Sequence, residues 1–396
     1  MENVRTYELA AAAEAAGYRA CLRCRPYRVA GTVADDAPEL VCRAVQLIIA
    51  GVLDDGNEQT LGARLGVSAR HLRRMFNDHL GVTPDQFARS RRAHFARRLL
   101  DDSDLSIADV AFASGYGSLR QFNRAMREIF RAAPSELRDR RRRNDRLAAD
   151  GGLVLRLPYT APYDWPATLD FLATQAIPGV ESIEGDTYRR TIALDGAPGM
   201  IELGPGAADH LLLRAHLPYW EGVIHVVARA ARLAGIDADP VLARAQLATD
   251  ETLGPLIAAR PGLRVPGAWG AFEVAVRAVV GPATNELVHR YGTPVPGLNH
   301  GLTHAFPAAE VLADTDEPVA ALAKAVVSGQ LTLDGGEQLD DLVRALTSVP
   351  GVAHTAAHHI ALRLGARDAC PIGGSADWRP WRALATVHLL SAGLRS

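Results

Sequence analysis

The chain has 396 residues, 48% of them hydrophobic and 22% charged, with a formal net charge of −2. That length exceeds one ordinary core and predicts two or three domains, and the composition excludes a disordered or fibrous chain. No apolar run reaches membrane-spanning length and the N-terminus lacks a secretory pattern, so a cytoplasmic protein with no membrane partner is expected.

Charge is distributed unevenly. Residues 1–146 hold 25 Arg against 19 Asp and Glu, a net of +6, and the remainder carries −8. A basic first half suits a nucleic-acid partner. Lysine occurs once, at Lys324. Four cysteines in a cytoplasmic chain do not indicate a disulfide framework. Cys42 and Cys370 read as small hydrophobes, whereas Cys21 and Cys24 form a C-x-x-C pair.

In chain order, residues 1–31 are Ala-rich and end in CLRCRP, and 38–138 show helical periodicity with Arg-rich faces. The run RDRRRRN at 138–144, within a 139–152 linker, predicts a solvated junction. LVLRLPY (153–159) and TYRRTIAL (187–194) alternate as strands do, and 215–260 and 268–365 read as helical.

Residues 58–138 carry one helix-turn-helix pattern twice. In EQTLGARLGVSARHLRRMFNDHLGVTP (58–84), Leu61, Leu65 and Val67 form an apolar seam and Gly66 permits the tight turn. Ser68 can cap the second helix, which Leu72, Met75 and Phe76 bury, leaving Arg70, His71, Arg73, Arg74 and Asn77 outward. In the second copy (105–138), Ile107, Val110 and Ala111 face Phe122 and Met126 across the turn at Gly115. Ser118, Arg120, Gln121, Asn123, Arg124 and Arg127 face out. Donors for base edges beside cations for phosphates are what a major-groove helix needs.

The stretch DVAFASGYGSLRQFNRAMREIFRAAPSELR closely resembles the AraC family of transcription regulators. The resemblance implies a seven-helix domain placing two recognition helices in successive major-groove segments of duplex DNA, with RNA polymerase as the partner of an activator. Arg70, His71 and Arg74 of the first unit, and Ser118, Arg120, Asn123 and Arg124 of the second, are the expected DNA contacts.

AAEAAGYRACLRCRPY (12–27) resembles the second half of the Ada-type methylphosphotriester-repair domain, whose two cysteine pairs hold zinc. Only the pair Cys21 and Cys24 is present, so residues 1–31 read as a remnant offering half a metal site; no cofactor is expected, and zinc would need Cys42, a histidine or a second molecule as well. Methyl transfer is not expected.

Residues 153–396 resemble DNA-3-methyladenine glycosylases of the AlkA type. The resemblance implies an α+β sheet domain over 153–214 and an all-α helix-hairpin-helix domain over 215–396, completing a multidomain, mainly α chain. The family flips an alkylated purine from the duplex and uses an aspartate to stabilise the cationic sugar or activate water. Gly374 stands at that aspartate's position, Thr355, His359 and Leu390 replace pocket aromatics, and the hairpin reads Gly351-Val352-Ala353 in place of G-x-G. Gly351 and Ala353 are the expected phosphate contacts of the hairpin.

Asp377 is the nearest carboxylate that could substitute in catalysis, and it also reads as the N-cap of the last helix. Lys324 lies outside the hairpin, which closes a Schiff-base route. His354 and His358, four residues apart, read as exposed or capping. The expected function is a sequence-specific DNA-binding regulator whose glycosylase-like domain has lost its reaction and serves as a sensor or interaction domain for alkylated DNA, a small ligand or a partner. The alternative is a bifunctional regulator and active 3-methyladenine glycosylase.

Overall fold

The structure, a computed structural model, describes residues 5–7, 9–21, 25, 37–142, 145–147 and 151–394. It divides into two compact units: the described parts of Met1–Tyr159 with Tyr219–Ala228, and of Thr160–Pro218 with Arg229–Ser396. No described helix is long and apolar enough to cross a membrane.

The first unit holds α1 (Ala10–Ala15), α2 (Glu39–Ala50), α3 (Glu58–Arg64), α4 (Ala69–Leu80), α5 (Pro84–Asp102), α6 (Ile107–Ala113), α7 (Leu119–Phe130), α8 (Pro134–Asp139) and β1 (Leu153–Pro158). The seven helices α2–α8 form the expected double helix-turn-helix. Each unit's helices begin where a side chain takes an orphan amide. Asn57 caps α3, Ser68 caps α4, and Ser118 caps α7. Thr83 with Gln86 and Ser106 with Asp109 form capping boxes on α5 and α6. Gly66 and Gly115 turn the chain with φ of +70° and +78°. Leu61, Leu72, Phe76, Val110, Phe122 and Met126 are fully buried, as the apolar seams predict.

The C-terminal turns of α5 gather buried charge. Arg97 pairs with Asp101 at 2.7 Å, Asp101 lies 3.7 Å from Arg25, and Arg25 also bonds Asp145. Arg156 of β1 meets Asp102 at 2.7 Å. On the same helix, His94 Nε2 lies 2.5 Å from Glu14 of α1. The described N-terminal residues are therefore ionically tied to the helix joining the two helix-turn-helix copies.

The second unit opens with α9 (Trp165–Gln175) and the antiparallel strands β2 (Glu181–Glu184), β3 (Thr187–Leu194), β4 (Ala197–Pro205) and β5 (His210–His216). Leu194 pairs with Ala197 across a two-residue turn at Asp195 and Gly196, both at positive φ, the turn whose twist suits a hairpin. Then come α10 (Val223–Leu233), which begins within the first unit, α11 (Val241–Leu247), α12 (Leu253–Ala259), α13 (Ala271–Val280) and α14 (Thr284–Tyr291). The two-residue strands β6 (Thr293–Pro294) and β7 (His304–Ala305) precede α15 (Ala309–Ala313), α16 (Ala320–Val327), α17 (Leu339–Thr347), α18 (His354–Arg363) and α19 (Arg382–Ser391). Helices α13 and α15–α18 share one apolar core around Val276, Leu322, Leu346 and Ile360. Arg190 of β3 is buried against Glu273 of α13 at 2.7 Å and Glu181 of β2 at 3.4 Å, joining sheet to helices.

Truncating Phe76 to Ala leaves a void between α4 and its neighbours. Urea unfolding of the full chain is expected to show a loss of about 3–5 kcal/mol; a loss below about 1 kcal/mol contradicts this packing.

Candidate nucleic-acid interface and C-terminal loop

The caps set the phase of both recognition helices. Ser68 Oγ accepts the His71 amide at 3.2 Å, and Ser118 Oγ accepts the Gln121 amide at 3.3 Å. Arg70 and Arg74 are exposed and His71 half-buried on α4, with Arg74 Nη2 3.0 Å from His71 Nδ1. Arg73, the other outward guanidinium, is bound to Glu58 of α3 at 2.6 Å. It braces the two helices.

On α7, Arg120 and Arg124 are exposed, and Asn123, half-buried, donates to the Leu119 carbonyl at 2.8 Å. Arg124 Nε donates to Glu128 at 2.7 Å, and Arg89 of α5 reaches the same carboxylate at 3.4 Å. The Arg124 hydrogen bond holds the Glu128 carboxyl below its ordinary range, and Glu128 raises Arg124 in turn. Arg120, Asn123, Arg124, Arg127, Glu128 and Arg131 line one shallow concavity. Arg127, Glu128 and Arg131 are not among the expected contacts. The signal for the two arginines is the spacing 120, 124, 127, 131, a single helical face.

Arg131 ends α7 in the left-handed conformation, φ +56° and ψ 30°, where Gly81 ends α4 at φ +67°. A side chain there costs about 1–2 kcal/mol. Attraction of an exposed cation to the helix C-terminus returns only about 0.3–1 kcal/mol.

In the second unit the hairpin between α17 and α18 places Gly351 at φ +87°. Ala353 stands extended at the N-cap of α18 with no side-chain cap. Val352 is buried beneath it. Thr355 and Leu390 are exposed.

At Gly374 an added Cβ would lie 2.8 Å from Trp378 Cζ3 and 3.2 Å from Cys370 Sγ. The indole fills the space an aspartate side chain needs. Trp378 is fixed there by its Nε1 donating to Asp250 at 2.7 Å, a bond that also holds the Asp250 carboxyl below its usual range. Asp377 is exposed in a 3-10 turn, Ala376–Trp378, whose cap is Ser375. The last helix starts instead after Trp381, so the expected N-cap role of Asp377 is corrected. The chain needs four more residues to bring Trp378 and Trp381 onto Asp250 and Gln246 before α19 can begin. Asp368 is held at 2.7 Å by both Arg382 Nε and Nη2.

The rings of His354 and His358 lie 4.7 Å apart at a tilt of 51°, and His358 Nδ1 accepts the Cys370 amide, fastening the loop to α18. His354 is exposed, and His358 is half-buried with its ring nitrogen taking a loop amide. His359 lines a cavity of about 30 Å³ with Arg190, Trp269, Glu273, Arg277 and Arg363. That is room for a water molecule or two, far below a nucleobase site. Burial, with Arg363 nearby, pushes His359 down to about 4.

Zinc needs four soft donors. Cys21 is exposed, Cys24 lies outside the described residues, and Cys42 donates to the Ala37 carbonyl at 3.5 Å. No group of three His, Cys, Asp or Glu converges among the described residues. The described donors do not fit a tetrahedral site.

Family models match three stretches: the metal-binding domain of Ada over residues 1–27, a helix-turn-helix domain over 61–140 and the AlkA N-terminal domain over 154–270. The chain is 34% identical to a Mycobacterium tuberculosis (strain H37Rv) protein named "Probable bifunctional transcriptional activator/DNA repair enzyme AlkA", covering 98% of this chain and 87% of that one. It is 28% identical to "DNA-3-methyladenine glycosylase 2" of Escherichia coli (strain K12), covering 59% of this chain and 95% of that one. Among solved structures, "Structure of MBOgg1 in complex with low affinity DNA ligand" is 14% identical with a TM-score of 0.50, covering 62% of this chain and 96% of that one. This last likeness is one of fold.

Gly374→Asp is expected to lower the melting temperature and shift tryptophan emission, and adding Trp378→Ala to relieve the loss. Unchanged melting and emission in Gly374→Asp contradict the packing of Trp378. Acid should also weaken the fold. His359 stays neutral when folded down to about 4, and its unfolded form takes a proton near 6.5. Stability is therefore full above pH 6.5 and lost as pH falls toward 4, by about 3 kcal/mol for this residue. His388, also pushed down to about 4 by burial, adds to the trend. His359→Gln should flatten the pH dependence of urea unfolding over that window.

Proposed function

The chain belongs to the family of bifunctional AlkA-type transcriptional activator/DNA repair proteins, and from that premise we propose that it is a sequence-specific DNA-binding regulator whose glycosylase-like half has lost the glycosylase reaction. The carrying observation is the outward face of two capped recognition helices, with Arg70, Arg74, Arg120 and Arg124 exposed beside polar neighbours. On this reading Arg70, His71, Arg74, Ser118, Arg120, Asn123 and Arg124 meet DNA, and RNA polymerase is the partner recruited. The functional division follows residues 38–138 for DNA binding, 153–214 for the sheet domain and 215–396 for the hairpin domain.

Loss of hydrolysis is supported by the indole of Trp378 over Gly374 and by the exposed position of Asp377. Stabilising a sugar cation requires a carboxylate held close to the flipped nucleotide. The hairpin at Gly351 and Ala353 retains an uncapped helix start suited to a phosphate, so this half can still touch a duplex without cutting a glycosidic bond. It then serves as a sensor of alkylated DNA or of a small ligand. The second reading, an active glycosylase with Asp377 as its carboxylate, is favoured by the 95% coverage of the Escherichia coli glycosylase.

Gel-shift titration on DNA upstream of its own gene should show preference over scrambled duplex. Arg120→Ala should reduce that preference by about 1–3 kcal/mol, roughly ten- to hundredfold. Equal binding to both duplexes by the unaltered protein rules out the regulator reading. On methylated DNA no 3-methyladenine release is expected. Release that disappears in Asp377→Asn would establish the second reading.

A further inference from the structure

The two recognition helices are equal in length and register, which permits a position-by-position comparison. Counting from the capping serines, Arg70, Arg74, Asn77 and Gly81 correspond to Arg120, Arg124, Arg127 and Arg131. The second helix thus carries a stripe of four guanidinia along one face where the first carries two. At 1.5 Å per residue the stripe runs roughly 16 Å, beyond the N-terminal half that reaches base edges. Its last member, Arg131, is exposed and stands in the left-handed conformation that glycine fills in the first copy. Helix-end electrostatics is the weaker of the two effects, so capping alone does not account for an arginine there. Glu128, the acidic group on this face, is engaged by Arg124 and Arg89 and leaves Arg127 and Arg131 to other partners.

We infer that Arg131, with Arg127, grips the DNA backbone at the C-terminal end of the second recognition helix. The second unit is then the electrostatic anchor of the pair, and the first depends more on the contacts of Arg70, His71 and Arg74. Phosphate contacts position a protein without reading sequence, so Arg131 sets affinity and salt dependence but not operator choice. The inference rests on the DNA-binding reading above and adds to it a division of labour between the two copies.

Arg131→Gly separates the charge from the backbone geometry, since glycine takes the left-handed position as Gly81 does. In the full-length protein its melting temperature should be equal or higher. Its affinity should fall alike on preferred and scrambled duplexes. The slope of log K against log salt should become less negative by about 0.9, so that between 50 and 200 mM salt the variant loses about threefold less affinity than the unaltered protein. Arg131→Lys should keep the original slope. An unchanged slope in Arg131→Gly, with the unaltered protein still binding, overturns this inference alone. Absence of salt-dependent duplex binding by the unaltered protein overturns it together with the DNA-binding reading.

Discussion

The hydroxyls of Ser68 and Ser118 each accept the amide three residues on, and this bond fixes where a recognition helix begins. A helix that starts one residue later turns its faces by 100°, which would carry the arginines toward the core and Phe76 or Phe122 toward water. The apolar seams, the left-handed glycines before each cap and the ends at Gly81 and Arg131 all agree with that one phase. Such agreement between local and long-range demands marks a sequence with a single solution.

Around that phase the first unit uses charge for bracing as well as for display. Arg73 and Arg97 are committed to Glu58 and Asp101, and Arg25 and Arg156 to Asp145 and Asp102. Removing one member of the buried pairs Arg97–Asp101 and Arg25–Asp145 strands the other without solvent, whereas Arg73 is largely exposed and its pair with Glu58 is less sensitive to change. Each pair cancels one cation with one anion, so the basic surplus of the first half is not reduced by them, and α4 and α7 display part of it outward. The described N-terminal residues are tied to α5 through Arg25 and Glu14.

In the second unit the groups that hold the fold can be told apart from the position where the AlkA resemblance implies an aspartate. Its hairpin, its apolar core and the Arg190–Glu273 joint serve packing, and all are intact. At Gly374, where the AlkA resemblance implies an aspartate, Trp378 closes over the space and bonds Asp250. A half-buried indole with a satisfied N–H is a stable filler, so an aspartate placed at 374 has to displace it.

Much of this was legible in the residues themselves. Caps, turn glycines, apolar periodicity and the outward arginines depend on neighbours within a few positions, and the strands at 153–159 and 187–194 on simple alternation. What stayed hidden depends on residues far apart in sequence. Asp377 looked like a helix cap because a carboxylate precedes an apolar run, yet α19 is delayed by Trp378 and Trp381 reaching Asp250 and Gln246, about 130 positions away. His358 reads as exposed or capping, and its partner, the Cys370 amide, is brought to it only by the fold. The sequence by itself determined where the recognition helices begin and which face they show, because capping and periodicity are local. Only the tertiary structure decided which arginines are spent on pairing and what occupies the aspartate's place, because side-chain partners are chosen by distance in space.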